Sequence, residues 1–233
     1  TDDAPHPPPN PLQYRVLQAT DGIRDSWTSR GLGNVYKRQI GNGFEDFYFK
    51  YKNNITSFDI YYSQNIDFIA DAHNIPFLNK TFDLIIIQAV LEHVLYPNKV
   101  VHEINRVLKI NGYVYAETPF MQQVHEGAYD FTRFTDSGHR LLFSDFTLLK
   151  SGFVSGVGTS LLWSIDYFFS ALFRTKVAGK ISKLIFFWLR FFDLIVPSRY
   201  NIDGASGVYF LGIKQNKTLR DSNIIEYYNG SQN

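Results

Sequence analysis

The stretch that decides the fold is Phe82-Asp-Leu-Ile-Ile-Ile-Gln-Ala-Val-Leu-Glu-His-Val94, followed one helix later by Leu108-Lys-Ile-Asn-Gly-Tyr-Val-Tyr-Ala-Glu-Thr-Pro119. Residues 84–87 are apolar without alternation, which is typical of a parallel strand covered on both faces. Apolar residues recur at helical spacing over 98–109, and Asn111-Gly112 is typical of a left-handed helix C-cap. The pattern predicts a strand–helix–strand unit of an open α/β sheet.

Two upstream segments extend this pattern. Residues 66–70 form a short predicted strand, and Asp71-Ala-His-Asn-Ile-Pro-Phe77 follows it as a loop. Taken together, the segments resemble class I S-adenosylmethionine-dependent methyltransferases of type 11. That family has an Asp-Ala pair, Ile-Pro-Phe, a Phe-Asp-Leu strand, Glu-His-Val and a Leu-Lys-x-x-Gly turn in this order. Asn111 replaces the first of two usual glycines, a mild departure because Asn also tolerates positive φ.

The resemblance covers roughly residues 40 to 146 and implies a fold class. This is an α/β, Rossmann-like open sheet of about seven strands, mostly parallel with an antiparallel last strand and helices on both faces. A subgroup with similar His, Tyr-Asp and Arg-Phe-Thr stretches is associated with cell-surface glycan biosynthesis. The expected activity is therefore methyl transfer from S-adenosyl-L-methionine to a small-molecule or glycan acceptor, as O-methylation.

Composition sets broad limits on function. The chain has 233 residues, 45% of them apolar, which is enough for one substantial core. A net charge of +1 and the lack of a basic run argue against nucleic-acid binding. The absence of cysteine excludes disulfides, cysteine-bound zinc and a thiol nucleophile. No secretory signal is readable, so we expect a cytoplasmic protein, at the inner face of a membrane if it contacts one.

Three ranges are expected from the pattern of the chain. Residues 1–39 read as an extension, either disordered or non-native, because Val35-Tyr-Lys-Arg-Gln39 resembles a reading frame through a sequencing adapter. If the extension is non-native, the first strand before Ile40 is partly missing. Residues 40–215 are the expected methyltransferase domain, and residues 216–233 are a polar tail.

The cofactor site is expected to begin at a glycine turn. Gly41 and Gly43 suit the close approach of the donor to the backbone after the first strand. Asp59 ends a predicted second strand, where an acidic residue accepts hydrogen bonds from both ribose hydroxyls. The alternative for Asp59 is a solvated carboxylate at a strand end.

The resemblance adds three further cofactor positions. Asp71 and Ala72 stand where the family contacts the adenine amino group and a ring nitrogen, although Asp71 also suits a turn cap. Gln88, with Ala89, would flank the donor near its sulfonium at the end of the fourth strand.

The acceptor is expected to bind the segment that follows the fifth strand. His125 is the base candidate, and Asp130 either orients His125 or pairs with Arg133 to pin the loop. Tyr129 and Arg133 are the substrate-binding candidates, with Arg133 gripping an anionic acceptor through its bidentate fork.

No metal site is expected from the spacing of the sequence. Adjacent helical residues such as Glu92 and His93 point about a third of a turn apart, so a structural role is favoured for both. No other His and carboxylate set has metal-ligand spacing, which leads to a prediction of no zinc.

An aromatic helical insertion is expected at about 160–197. Residues 161–173 and 184–196 are predicted helices, separated by basic residues and each too short to cross a bilayer. The insertion could be a lid over the acceptor pocket, a dimer surface or a hairpin that contacts the membrane interface.

Two rival functions remain at this stage. One is a catalytically inactive methyltransferase-like interaction protein, supported by the eroded glycine loop. The other is a nicotinamide-dependent dehydrogenase, whose glycine fingerprint would need a third glycine at Asp46.

Overall fold

The computed structural model describes residues 16–20, 55–62, 66–215 and 221–232, with only the backbone at 16–20, 221 and 222. Seven strands form one sheet: β1 Val16–Thr20, β2 Ile55–Asp59, β3 Phe68–Ile69, β4 Phe82–Gln88, β5 Leu108–Pro119, β6 Phe146–Ser155 and β7 Gly207–Lys214. Their spatial order is β3-β2-β1-β4-β5-β7-β6, and β7 alone runs antiparallel to its neighbours. The predicted α/β Rossmann-like sheet, mostly parallel with an antiparallel last strand, is confirmed.

The described helices follow the strands in chain order. They are α1 Pro97–Val107, α2 Asp136–Leu142, α3 Val157–Leu172, α4 Lys176–Ile185, α5 Phe192–Ile195, α6 Ser198–Asn201 and α7 Asp221–Ile225. Short 3₁₀ turns lie at Gly127–Tyr129, Phe187–Phe191 and Ile202–Gly204. Helices α1 and α2 contact each other and so cover the same face of the sheet. Residues 21–54 lie outside the described ranges, so helices on the second face stay a prediction.

Strand β4 is buried on both of its faces, as its continuous apolar run predicts. Ile85 and Ile87 belong to the main core cluster with the apolar face of α1, and Ile86, which points the other way, is buried as well. Helix α1 buries four residues in this core: Val100, Val101, Ile104 and Val107. Each contributes about 1.5–3 kcal/mol, so packing on the sheet rather than helix propensity stabilises α1.

The end of α1 differs from the prediction. The helix ends at Val107, and Leu108 is already extended, whereas the sequence predicted a helix to residue 109 with a cap at Asn111-Gly112. Asn111 does have a positive φ of 63°, but it lies within β5, next to a register shift against β4. The Lys214 ammonium donates to the carbonyls of Asn105 and Leu108, which places a cation at the negative end of the helix dipole.

The first strand is not where the sequence analysis expected it. Strand β1 pairs with β2 on one side and β4 on the other, so the centre of the sheet is formed by Val16–Thr20. These five residues lie inside 1–39, the range expected to be a disordered or non-native extension. They form a strand, so a disordered extension does not describe them, and the non-native alternative stays a prediction. The physical reason is that β2 and β4 both present parallel backbone hydrogen-bonding edges that a strand between them satisfies.

The segment between β6 and β7 is helical, but only one of its two predicted helices is right. Helix α3 covers all but the last residue of the first, while residues 184–196 form the end of α4, a 3₁₀ turn and the short α5. The basic stretch that was expected as a linker is itself helical. Gly179 allows α4 to pack closely on α3, since a Cβ at this position would lie 2.0 Å from Ser170 Oγ. The Asp193 carboxylate accepts from Gly158 N at 2.7 Å and so helps to cap α3.

The C-terminal residues are packed against the domain rather than free as a polar tail. Tyr227 Oη donates to Asp136 Oδ1 at 2.9 Å, and Tyr228 Oη donates to Asp203 Oδ1 at 2.8 Å. Tyrosine can bury its ring while its hydroxyl keeps a polar partner, so these two residues dock a segment whose composition is otherwise mostly polar.

Candidate functional site

The sheet reverses its strand order between β1 and β4, and such a switch point is where open α/β sheets bind ligands, outside the carboxyl ends of the strands. Three of the predicted cofactor residues lie at this edge. Asp59 is the last residue of β2, Gln88 is the last residue of β4, and Asp71 follows β3. We call these three residues and Ala72 the donor edge.

Gly41 and Gly43 lie outside the described residues. Gly41 also stands 21 positions after Thr20 in the sequence, so it does not directly follow β1. The expectation that the glycine turn comes immediately after the first strand is therefore wrong for the strand that the structure describes. Ligand binding by the two glycines stays a prediction.

Asp59 is buried, with 2% of its surface exposed. Its Oδ1 accepts from Tyr61 N at 2.8 Å, and its carbonyl accepts from Ala70 N at 2.9 Å, which joins β2 to the segment after β3. The alternative of a solvated carboxylate at the strand end is wrong, because the side chain is enclosed. A buried carboxylate at this position is a strong hydrogen-bond acceptor.

Asp71 caps its own loop. Its Oδ1 accepts from His73 N at 2.8 Å and lies 2.6 Å from His73 Nδ1, while its side chain is more than half exposed. Partial burial acts to raise the pKa of the carboxyl, but the hydrogen bonds from His73 outweigh it and the pKa is lowered. Ala72 is buried beneath this turn. The turn cap does not exclude a ligand on the exposed side of Asp71.

Two features at the end of β4 mark it as a site. Gln88 Oε1 is buried and has no hydrogen-bond partner within the described part of the protein. Ala89, the next residue, has a φ of 53°, a left-handed conformation that costs an alanine free energy and is over-represented at functional sites. Its amide is held by Glu117 O in the neighbouring strand at 3.1 Å. The sequence carried no signal for this backbone conformation.

The loop after β5, residues 120–135, is called the acceptor loop. Asp130 pairs with Nη1 and Nη2 of Arg133 and accepts from the backbone N of His125 at 3.0 Å, and orientation of the His125 ring by Asp130 stays a prediction. His125 Nδ1 lies 3.4 Å from Asp130 Oδ2. Burial acts to raise the pKa of Asp130, but its hydrogen bonds with Arg133 and His125 outweigh burial and lower it.

Arg133 has no N–H group left for a substrate in this arrangement. Its five donors point to protein oxygens: Gln122 O, Gln123 O, Thr132 O and the two carboxylate oxygens of Asp130. The predicted clamp on an anionic acceptor is therefore not what this geometry supports. Arg133 pins the acceptor loop, whereas the Tyr129 side chain is exposed and accessible.

His93 and His125 lie in contact, although they are 32 positions apart. Their Nε2 atoms are 3.1 Å apart, and their rings meet edge to face with centroids 4.9 Å apart. Burial lowers the pKa of both imidazoles, so both are largely neutral at pH 7. The Glu92 carboxylate lies 3.7 Å from His93 Nε2. The sequence analysis found no metal-ligand spacing, and it missed this grouping because the two segments meet only in the fold.

A cleft lies beside the acceptor loop. Its volume is ≈ 540 Å³, and Asp130, Phe131, Arg133 and Tyr167 are among its lining residues. Tyr167, from α3, donates to Val124 O at 2.6 Å. Helix α3 thus contacts the acceptor loop, and a lid over the acceptor pocket stays a prediction.

Comparisons with known proteins agree with this arrangement. Residues 45–116 match the family described as a methyltransferase domain. No curated protein matches the chain in sequence. One similar solved structure is geranyl diphosphate C-methyltransferase from Streptomyces coelicolor A3(2), in complex with Mg²⁺, geranyl diphosphate and S-adenosyl-L-homocysteine. The two sequences are 10% identical, and the match covers 87% of this chain and 71% of that chain with a TM-score of 0.50.

Two further structures are similar at the same level. A geranyl diphosphate methyltransferase in complex with GPP and sinefungin is 9% identical over 87% of this chain and 72% of that chain, with a TM-score of 0.50. A SAM-dependent methyltransferase from Aquifex aeolicus is 12% identical over 87% of this chain and 83% of that chain, with a TM-score of 0.44. Such low identities bear on the fold alone. The similarity to a methyltransferase domain therefore rests on the family match over residues 45–116.

Proposed function

We propose that the chain is an S-adenosylmethionine-dependent methyltransferase that O-methylates a small-molecule or glycan acceptor. The observation that carries the proposal is the convergence of the donor edge and the acceptor loop at one edge of the sheet. Phe131 N donates to Glu92 O at 2.8 Å, which joins the acceptor loop to the segment that follows β4. Donor and acceptor would thus meet beside Gln88 and Ala89.

The donor edge fits the cofactor. The buried carboxylate of Asp59 would accept from the ribose hydroxyls, and the exposed side of Asp71, with Ala72, would contact the adenine. Gln88 Oε1 is a buried acceptor that lacks a protein partner within the described residues, and it would lie near the sulfonium. The cofactor supplies a methyl group on sulfur that is ready for displacement.

On the acceptor side, alignment supplies much of the rate of a single displacement. Tyr129 would contact the acceptor, and Arg133 would act as a positioning residue through Asp130. His125, oriented by Asp130, would take the proton of a hydroxyl. Because burial lowers the pKa of His125, the base is already neutral at pH 7, and we expect the rate to change little with pH above about 6.5.

Calorimetric titration of the full chain with S-adenosylmethionine and S-adenosylhomocysteine tests the donor half of the proposal. Micromolar binding of both ligands is expected, and the complex would then be screened with nucleotide sugars for a methylated product. If the folded protein binds neither ligand, the inactive interaction protein replaces the enzyme. Binding of a nicotinamide cofactor instead would support the dehydrogenase.

We also propose that the helical segment between β6 and β7 contacts a membrane surface. Helix α4 turns its small residues Gly179 and Ser182 towards the protein and exposes its large apolar ones. Large exposed apolar side chains continue along the segment: Phe168, Leu172, Phe173, Val177, Ile181, Leu184, Ile185, Phe187, Phe191, Leu194 and Ile195. Lysines on the same helix suit anionic lipid, and no described helix is long and apolar enough to cross the bilayer.

Flotation with vesicles that contain phosphatidylserine tests this contact. Leu184→Ser with Leu194→Ser should abolish co-flotation, because these side chains are 75% and 84% exposed. Leu78→Ser is the matched control, since Leu78 is 84% exposed but lies in the loop after β3. Failure of the wild-type protein to float, together with a dimer in solution, would assign the same face to self-association.

A further inference from the structure

The geometry of three side chains beside the acceptor loop points to a metal site. Glu92, His93 and His125 each offer one ligand atom, and these atoms all lie within 4.8 Å of one another. Glu92 and His93 come from the turn after β4, whereas His125 comes from the acceptor loop. The cluster therefore joins the two segments between which the acceptor is proposed to bind.

The hydrogen bonds of the two imidazoles determine where their protons lie. His93 Nδ1 is 2.8 Å from Tyr129 O, and a carbonyl oxygen only accepts, so Nδ1 carries the proton. His125 Nδ1 faces Gln123 O at 3.3 Å and Asp130 Oδ2 at 3.4 Å, which are both acceptors. His93 Nε2 therefore presents a lone pair, whereas the single N–H group of a neutral His125 can lie on Nδ1 or on Nε2.

This lone pair faces His125 Nε2 across 3.1 Å. The contact is filled either by a proton on His125 Nε2, which donates to His93, or by a metal ion that both Nε2 atoms bind. A tetrahedral zinc ion with Zn–N bonds of 2.0–2.1 Å would hold two nitrogen ligands about 3.3 Å apart. The observed separation is close to this value, and the Glu92 carboxylate, 3.7 Å from His93 Nε2, would complete three ligands by moving closer to both imidazoles.

The surroundings also suit a metal. Metal-binding histidines usually donate their second ring N–H to a carbonyl or a carboxylate, and Tyr129 O and Asp130 occupy these positions. The nearest cation, Arg133, is neutralised by its bidentate pair with Asp130. The Glu92 and His93 side chains are nearly enclosed, but that of His125 is 27% exposed, which leaves one side open for a fourth ligand.

We propose that Glu92, His93 and His125 bind one divalent transition-metal ion of the zinc class. Two imidazoles, one carboxylate and an open position are a donor set typical of catalytic rather than structural zinc sites. This proposal replaces the expectation of no zinc, and it does not depend on the methyltransferase assignment. With the metal bound, His125 is a ligand rather than a base, so the same measurement decides between its two roles.

The test is titration of the full chain with zinc chloride after treatment with a chelator and dialysis, with cobalt(II) absorption as a second readout. One zinc ion per chain with a Kd of about 1 µM or tighter is expected. Cobalt(II) should give the visible absorption of a four- or five-coordinate site with nitrogen and oxygen ligands. Wild-type protein that binds no stoichiometric zinc overturns the proposal without any variant, and the shared proton then explains the contact.

Variants identify the ligands. His93→Ala and His125→Ala should each weaken zinc binding by at least about 100-fold, and Glu92→Gln by about tenfold or more. His102→Ala, on the exposed side of α1, is the matched control and should bind zinc as the wild type does. Zinc binding that persists in the double variant of His93 and His125 would place the ion elsewhere and overturn the assignment.

Discussion

The donor edge and the acceptor loop are held in place by different kinds of contact. At the donor edge, Asp59 is bonded to Tyr61 and Asp71 to His73, in each case two residues along the chain. In the acceptor loop, the nearest partner of His125 Nε2 is His93, which lies 32 positions away. The donor edge is thus built from hydrogen bonds within local turns. The acceptor loop combines a local ion pair, between Asp130 and Arg133, with contacts to distant segments.

This difference has consequences for mutation. A local turn re-forms when one side chain changes, because its backbone remains at the end of a strand. A loop held by one buried ion pair loses several contacts together when that pair is broken, and the remaining charge is left without its partner. We therefore expect substitutions in the acceptor loop to affect stability, and substitutions at the donor edge to affect ligand affinity.

The largest expected effect is that of Asp130→Asn. This change removes the anionic partner of Arg133, and the Asp130 side chain is fully buried, so the free energy of unfolding should fall by about 3 kcal/mol. Urea unfolding followed by circular dichroism measures it. The control is Asp83→Asn, which breaks the partly exposed pair with Lys109 and should cost less than about 1 kcal/mol. Equal effects of the two changes would show that the acceptor loop is not held by this pair.

Next in size is Asp59→Ala, which should weaken S-adenosylmethionine binding by about 100-fold, because two hydrogen bonds to a charged acceptor are lost. Calorimetric titration gives the affinity. Asp83→Ala, at the amino end of β4, should bind the donor normally. An affinity for the Asp59 variant within threefold of wild type would contradict the assignment of this residue to the ribose.

A third test uses pH. His139 packs its ring against Phe134, at the end of the acceptor loop, and burial lowers its pKa to about 3. Below pH 6.5, His139 takes up a proton in the unfolded chain but not in the folded chain. The free energy of unfolding is therefore highest above pH 6.5 and decreases as the pH falls from there towards 3. Well below pH 6.5, the slope of the free energy of unfolding against pH should approach about 1.4 kcal/mol per pH unit.

The variant His139→Phe separates this effect from other titrations. Phenylalanine suits the surrounding rings of Phe143 and Phe210 and cannot be protonated, so the His139 part of the slope should disappear. His102→Ala should keep the full slope. A slope that is unchanged in His139→Phe would mean that other groups cause the acid sensitivity.

The smallest expected effect is that of Asp71→Asn. The Asp71 carboxylate already accepts a hydrogen bond from His73 N within its own turn. The substitution therefore changes only the strength of one contact to the adenine amino group. Donor affinity should fall about fivefold, or about 1 kcal/mol. His73→Ala removes the ring contact to Asp71 but keeps the carboxylate and the backbone N–H that closes the turn, and it should stay within about twofold of wild type. A larger effect of His73→Ala would show that the imidazole itself contributes to donor binding.

The parts of the protein that could be predicted are those with a strong local pattern. The apolar run of β4 and the spacing of apolar residues in α1 were sufficient to predict both elements. A strand that is buried on two faces has a continuous apolar run, whereas a helix that is buried on one face has apolar residues at helical spacing. The end of α1 was predicted two residues too late, because Asn111 has the expected positive φ but in a strand. Helix α4 was missed because its large apolar residues face outward and its inner face is made of small residues.

By itself, the sequence determined the class of sheet, the strands that carry Asp59 and Gln88, and the resemblance that names the donor. Each of these follows from short-range patterns or from the order of motifs along the chain. Only the tertiary structure decided that Arg133 has no donor left for a substrate and that Glu92, His93 and His125 converge. These facts depend on how the acceptor loop folds back on the turn after β4, and a contact across 32 positions leaves no periodic signal in either segment.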